Sequence, residues 1–340
     1  MRTTLRLFAA CGAVLLATLA GLAQATSYRI TMLGPHDPNS SSTGHALNER
    51  GEVAGLWLAR GGEWRAVLYK AGRRIDLARR AGLADEFSEA QDLNDHGAVV
   101  GQIRLDGRYL PFVGQHGAMQ LLPVPDGLSG AARAINSSGE VLAVWNDPSL
   151  DRSTAVIYHQ GEASVLPHLR QAVSSYPTAL NKHGVAVGLS RLASDASLPV
   201  KWHRGHVHRL GRGLFGQAEG LNDAGDVVGG AAPRKALQHA MLWRHGQSID
   251  LDPSPSGSSA AHAINNHGQI VGERGLNGRY GPFLWQNGQM RWLDELIVPE
   301  QQGLWQLYDA KDINDAGQIL AWGYRAEEGV QPLLLEPVEP

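Results

Sequence analysis

The sequence predicts an all-β fold, a seven-bladed β-propeller of four-stranded antiparallel blades, and three observations predict it. An Asn followed three residues later by Gly recurs at Asn48, Asn94, Asn136, Asn181, Asn222, Asn265 and Asn314, with spacings of 46, 42, 45, 41, 43 and 49 residues. Periods of this length belong to propeller blades or helical arrays. Each repeat also carries glycine-marked turns between short apolar runs, and none offers an apolar stripe at helical spacing. Finally, pairs such as Val99-Val100, Val227-Val228 and Ile270-Val271 are apolar at consecutive positions. Such strands need burial on both faces, as in sheets stacked around an axis.

Taken in order, residues 1–25 read as a signal peptide: Arg2 and Arg6, an apolar stretch from Leu7 to Leu22, then Ala23-Gln24-Ala25 as a cleavage site. The expectation is an exported chain, periplasmic or extracellular, with no membrane span after cleavage. The single cysteine, Cys11, lies in that segment, so the mature protein has no disulfide to stabilise it. Residues 26–340 read as one propeller domain. Its formal net charge, -3 for the whole chain, argues against nucleic acid as a partner, and the chain is expected to be a monomer.

Within a repeat, the Asn starts a tight turn and the Gly ends it at positive φ, joining the first two strands. A second hairpin follows in RAVLYKAGRRIDL, TAVIYHQGEASVL, LPVKWHRGHVHRL, HAMLWRHGQSIDL and GPFLWQNGQMRWL, turning at Gly72, Gly161, Gly205, Gly246 and Gly288. Tyr69, Tyr158, Trp202, Trp243 and Trp285 share one position in it and are expected to pack blade against blade. The seventh repeat ends in QPLLLEPVEP, which supplies a third strand but no fourth. SYRITMLG, residues 27–34, resembles the fourth-strand segments RRIDL and QSIDL, so the N-terminal strand is expected to complete the last blade and close the ring. The stretch DELIVPEQQGLWQLYDAK, which lengthens the last spacing, has room for a helical turn or cap.

The units AHAINNHGQIVG (261–272) and AEGLNDAGDVVG (218–229), with HAMLW (239–243), resemble those of the bacterial predicted extracellular proteins with HAF repeats. The His-Ala-Phe triplet is nowhere literal here; Met241 stands where its Phe would be. The resemblance implies export and a repeat scaffold, and it brings no catalytic residues.

The motifs that would signal chemistry are absent or out of context. DLNDHG and DINDAG lack the later ligands of a calcium loop, and GRGLFG (211–216) is followed by a strand where a phosphate site needs a helix. His203, His206 and His208 have no local carboxylate, and no zinc, nucleophile or phosphate-loop motif occurs, so neither cofactor nor metal is expected. The candidate binding residues lie in the variable loops: the duplicated pairs Arg108-Tyr109 and Arg279-Tyr280, with Trp57, Trp145 and Trp322. Aromatic faces stack on sugars or peptide side chains, and Arg forks take carboxylates. These features predict a non-catalytic binding or scaffolding propeller that recognises a glycan or protein with its loop face. The alternative is a lyase acting on anionic uronate glycans, with Tyr or His as base.

Overall fold

The computed structural model describes residues 26–35, 41–83 and 86–338; the segment read from sequence as a signal peptide lies outside them. Strand β1 (Ser27–Met32) precedes the first repeat. Blade one comprises β2 (Ser42–Leu47), β3 (Val53–Leu58), β4 (Trp64–Lys70) and β5 (Arg73–Asp76), and blade two β6 (Ser88–Leu93), β7 (Val99–Leu105), β8 (Arg108–Gln115) and β9 (Ala118–Leu121). Blade three follows with β10 (Ser129–Ile135), β11 (Val141–Asp147), β12 (Arg152–His159) and β13 (Glu162–Val165). Blade four has β14 (Ala172–Leu180), β15 (Ala186–Leu192), β16 (Ser197–His203) and β17 (His206–Arg209). Blade five has β18 (Leu214–Leu221), β19 (Val227–Pro233), β20 (His239–Arg244) and β21 (Gln247–Asp250). Blade six has β22 (Ser258–Ile264), β23 (Ile270–Leu276), β24 (Arg279–Gln286) and β25 (Gln289–Trp292). Blade seven contributes β26 (Gln306–Ile313), β27 (Ile319–Arg325) and β28 (Gly329–Val338), and its fourth strand is β1, paired antiparallel from Ser27↔Val338 to Met32↔Leu333. The ring is therefore closed by the N-terminal strand, as the sequence predicts.

Within each blade the chain runs outward from the channel, so the first and third turns share one face and the variable loops share the other. The consecutive apolar pairs are buried on both sides: Val99 and Val100 are 1% and 0% exposed, and Ile270 and Val271 both 0%. They fill seven clusters between neighbouring blades, such as Ala90, Leu93, Val99, Ile103 and Phe112 against Ala54, Ala66 and Leu68. Tyr69, Tyr158, Trp202 and Trp243 are buried in these seams, and Trp285 packs against one of them. The Trp202 indole N–H donates to Pro167 O at 2.8 Å, and the Tyr158 hydroxyl to Pro123 O at 2.6 Å. Each thus holds the loop leaving the preceding blade.

Among the described residues, helix is confined to short pieces. After β5 a single turn, α1 (Leu77–Arg80), is capped by Asp76 Oδ1 accepting from Arg79 N at 2.9 Å, an Asp cap with no apolar stripe behind it. Before blade seven, two 3-10 turns, Leu293–Leu296 and Pro299–Gln301, occupy the predicted insertion. These turns cover the ring's closing strand. Gln301 accepts from Ile30 N at 2.7 Å and donates to Ile30 O at 3.1 Å, while Val298 N donates to Tyr28 O at 2.9 Å. The free edge of β1, which would otherwise invite pairing with another chain, is occupied. Deleting residues 27–34 should therefore expose the edge of β28 and lower the melting temperature or cause aggregation; unchanged melting and solubility would contradict this account of closure.

The Asn-x-x-Gly turns form as expected, each Gly N–H donating to the anchor Asn carbonyl, with Gly225 at φ 83°. A Cβ added there would meet nothing nearer than Lys201 Nζ at 3.8 Å, so only the backbone angle opposes a side chain. Replacing Gly225 by Val should cost about 1–3 kcal/mol in chemical denaturation, while Ala224→Ser should be near neutral. Equal costs at the two positions would contradict the turn geometry.

Candidate functional site in the central channel

The innermost strand of each blade lines the channel, and its anchor Asn does two jobs. Its Oδ1 accepts backbone N–H groups of its own turn, as Asn181 does from His183 at 3.0 Å and Val185 at 3.0 Å. Its Nδ2 donates to the carbonyl of the next anchor around the ring: Asn48 to Asn94 at 3.3 Å, Asn94 to Asn136 at 3.1 Å, Asn136 to Asn181 at 3.2 Å and Asn181 to Asn222 at 3.1 Å. Asn222 reaches Asn265 at 3.3 Å, Asn265 reaches Asn314 at 3.0 Å, and Asn314 returns to Asn48 at 3.1 Å. At a net value of ~1 kcal/mol each, these bonds stabilise the closed ring by several kcal/mol. Below them, at the turn face, Asp315 N donates to Glu49 at 3.0 Å, Glu49 N to Asp95 at 2.9 Å and Asn266 N to Asp315 at 2.8 Å, continuing the latch.

Above the anchors, every innermost strand bulges against its neighbour, for example between Gly44 and Ala46 and between Ala90 and Asp92. In five blades the strand at the bulge lies against a glycine of the next strand, and Ala143 and Ala321 hold that place in blades three and seven. A Cβ on Gly101 would lie 1.9 Å from Glu89 O, and one on Gly272 2.0 Å from Ala260 O. The extra residue of each bulge turns into the channel. One position of the scaffold thus carries seven polar side chains: His45, Gln91, Arg133, Thr178, Glu219, His262 and Lys311, around a cavity of about 230 Å³. Tyr176 and Gln217 line its continuation towards the loop face.

The ring is electrostatically uneven. Glu219 accepts from His262 Nδ1 at 2.5 Å and from Gln217 at 2.8 Å. His262 Nε2 lies 3.2 Å from Asp309, whose other oxygen pairs with Lys311. Burial alone would lower the His262 pKa, but the bonds and charges of Asp309 and Glu219 outweigh it and raise it to about 10, so the ring is an imidazolium. Burial instead dominates at His45 and lowers its pKa; its Nδ1 lies 2.9 Å from Ala90 O. Arg133 is also pushed down by burial, opposed by the charge of Glu89, and has no hydrogen-bond or ion-pair partner among the described residues.

Two further carboxylates hold the wall together. Asp92 accepts from Ile135 N at 2.7 Å and Leu93 N at 2.8 Å, and Asp312 from Leu47 N and Ile313 N, both at 2.8 Å. Burial raises Asp92 to about 7 and Asp312 to about 6. Both keep some surface on the channel, and water there moderates the push without reversing it.

The residues singled out from sequence are not gathered into one site. Arg108 is bound to the loop after β9, donating to Leu128 O at 2.5 Å and 3.1 Å and to Pro125 O at 3.3 Å. Arg279 pairs with Asp294 at 2.6 Å and Glu295 at 2.7 Å and stacks over Trp292. Both lie on third strands, with two strands between them and the channel. Tyr109 meets Phe87 edge to face, and Tyr280 donates to Glu273. Trp57 is stacked by Arg74 at 3.9 Å, and Trp145 donates to Tyr158 at 2.8 Å. Trp322 alone of the three tryptophans stands beside the polar ring, under Lys311 at 4.4 Å and 6.4 Å from the His45 ring, its N–H on Gly44 O at 2.7 Å. Arg279 and Tyr280 also line a loop-face groove with Trp305. An apolar cavity of about 670 Å³ lies apart, between blades one and two on the turn face, lined by Leu68, Ile75, Leu77, Val99 and Met119 beneath Arg50, Arg73 and Arg80.

No protein-family model matches the chain, and no curated protein matches it by sequence. Solved structures do. The β-propeller domain of the Trilobed protease from Pyrococcus furiosus, which has an open velcro topology, superposes with a TM-score of 0.60 at 10% identity over 88% of this chain and 95% of that one. A puromycin hydrolase S511A mutant complexed with PGG gives a TM-score of 0.61 at 13% identity, over 88% of this chain and 54% of that one. YCF48 from Cyanidioschyzon merolae gives 0.53 at 10% identity, over 91% and 98%. At such identities the likeness shows the fold alone, a β-propeller.

Asp92, Asp312 and His262 all hold protons more tightly when folded. Each therefore contributes stability that is present below its unfolded pKa and lost as pH rises through its folded one. From about pH 5, where the depressed Glu219 and Asp309 carboxylates are ionised, stability should fall as pH rises, through about 6 and 7 for the aspartates and towards about 10 for His262. Denaturant titrations across pH 5 to 9 check this, and His262→Gln should flatten the alkaline part.

Proposed function

We propose that the protein is an exported, non-catalytic binding propeller that admits a carboxylate-bearing ligand, a glycan or a protein segment, into the loop-face end of its channel. The observation that carries this reading is Arg133, a guanidinium without an acceptor, set in a ring where one scaffold position holds seven polar side chains. An Arg fork binds a carboxylate in two parallel hydrogen bonds, and Tyr176 and Trp322 offer aromatic surface on the approach. Export rests on the N-terminal segment and on the likeness to HAF-repeat proteins. Arg108 and Arg279 are engaged by their own loops and stand away from the channel, so the charge is read by Arg133.

The second reading, a lyase on uronate glycans, is favoured by one observation. His45 is held towards its neutral form by burial, as a proton-accepting base must be, whereas His262 is already protonated. Incubating the purified protein with oligouronates, neutral oligosaccharides and acidic peptides, and following both binding and unsaturated product, separates the two. Binding is expected for acidic ligands, weakened about tenfold or more by Arg133→Gln as a charge-assisted contact is lost. Arg108→Ala should instead lower the melting temperature. Affinity indifferent to Arg133→Gln, or equal for neutral ligands, would overturn the proposal, and unsaturated product would support the lyase.

A further inference from the structure

A separate set of atoms in the channel wall lacks the partners its burial demands. His262 Nε2 and Asp309 Oδ1 are buried and 3.2 Å apart, an ion-pair contact without a well-aligned hydrogen bond, and neither atom has another partner among the described residues. Glu273 on β23 brings a carboxylate oxygen into the same place, and the three ligand atoms all lie within 4.8 Å of one another. Two atoms bound to one small cation at about 2.1 Å are separated by ~3.0 Å at a right angle and ~3.4 Å at the tetrahedral angle, which brackets the observed contact.

We propose that His262, Glu273 and Asp309, on blades six and seven, form a binding site for one divalent transition-metal ion. Each ligand is already oriented through its other atom. Glu219 accepts from His262 Nδ1 at 2.5 Å, which fixes the tautomer whose Nε2 lone pair faces the site once its proton is released to solvent. Lys311 occupies Asp309 Oδ2 and leaves Oδ1 free, and the Tyr280 hydroxyl steadies Glu273. Charge points the same way. Glu219, Glu273 and Asp309 face Lys311 and a protonated His262, which leaves one negative charge; a divalent ion on neutral His262 brings the group to zero. Arg274, next along β23, is bound to Asp252 at 2.7 Å and 2.8 Å and is not available to the cluster. One imidazole with two carboxylates suits zinc and its neighbours better than calcium.

The test uses the mature chain, stripped with a chelator, desalted and titrated calorimetrically with Zn²⁺, with Co²⁺ absorption as a second readout of coordination. One equivalent is expected to bind. His262→Gln and Asp309→Asn should each weaken it at least about tenfold, and Glu219→Gln by ~10–100-fold, as loss of an orienting carboxylate does. The surface pair His206 and His208, whose rings lie 6.4 Å apart, is the competing explanation, and changing both to Ala should leave the stoichiometry intact. No uptake, uptake unchanged in His262→Gln, or uptake lost with the surface pair would each overturn the proposal. Should the buried variants not fold, the half-buried Glu273→Gln decides: weaker binding supports the site and equal binding refutes it. Because Arg133 is not involved, this outcome stands apart from that of the ligand-binding test.

Discussion

The seven bonds from Asn Nδ2 to the next anchor's carbonyl set the geometry on which the rest depends. Each amide is already fixed by the turn it accepts from, and in most blades by a second bond from Nδ2 to the side chain four residues on, as from Asn265 to Gln269, so its remaining N–H points towards the neighbouring blade. Local turn chemistry and ring assembly are therefore properties of the same side chain. A residue that kept only the acceptor, such as Asp, would close the turn and place an oxygen against the next carbonyl. This explains why Asn stands at every anchor although Asp and Ser also serve turns well.

Just above, the bulge performs a comparable double task. Beside it two backbones approach so closely that Gly55, Gly101, Gly188, Gly229 and Gly272 leave room only for hydrogen, while Ala143 and Ala321 are accommodated in the other two blades. By inserting an extra residue the bulge also turns one side chain per blade out of the packed seam and into the half-buried channel. The blade seams need small or apolar groups, whereas the bulge position has no packing to satisfy, so its chemistry is free to differ from blade to blade. Repetition in the scaffold and diversity in the channel arise from one backbone irregularity.

Much of this was legible beforehand. Spacing, turn glycines and doubly buried runs specify the blades, and the incomplete seventh repeat identifies the closing strand, because these are local or counting arguments. The channel was not read, although a signal existed: three residues before each anchor, His45, Gln91, Arg133, Thr178, Glu219, His262 and Lys311 form a polar column beside Ala and Gly. Arg108 and Arg279 are more conspicuous, as the duplicated Arg-Tyr pair. Their partners, a loop carbonyl and an acidic pair, are contacts that motif spacing does not reveal. Nothing local marks His262, since neither Glu219 nor Asp309 is near it in sequence.

The closing strand also imposes an order of events. β1 is the first part of the domain to be synthesised, and its partner β28 is the last, so the two must find each other across nearly the whole chain. Until residue 338 is available, the other six blades can assemble only as an open arc, with both end seams wet and the Asn ring interrupted. Closing such an arc carries the entropic cost of a very long loop, which grows only slowly with length, and that cost is offset in one step by two seams and the final Asn bonds. Assembly along the arc can thus be gradual, while completion of the ring is all or none.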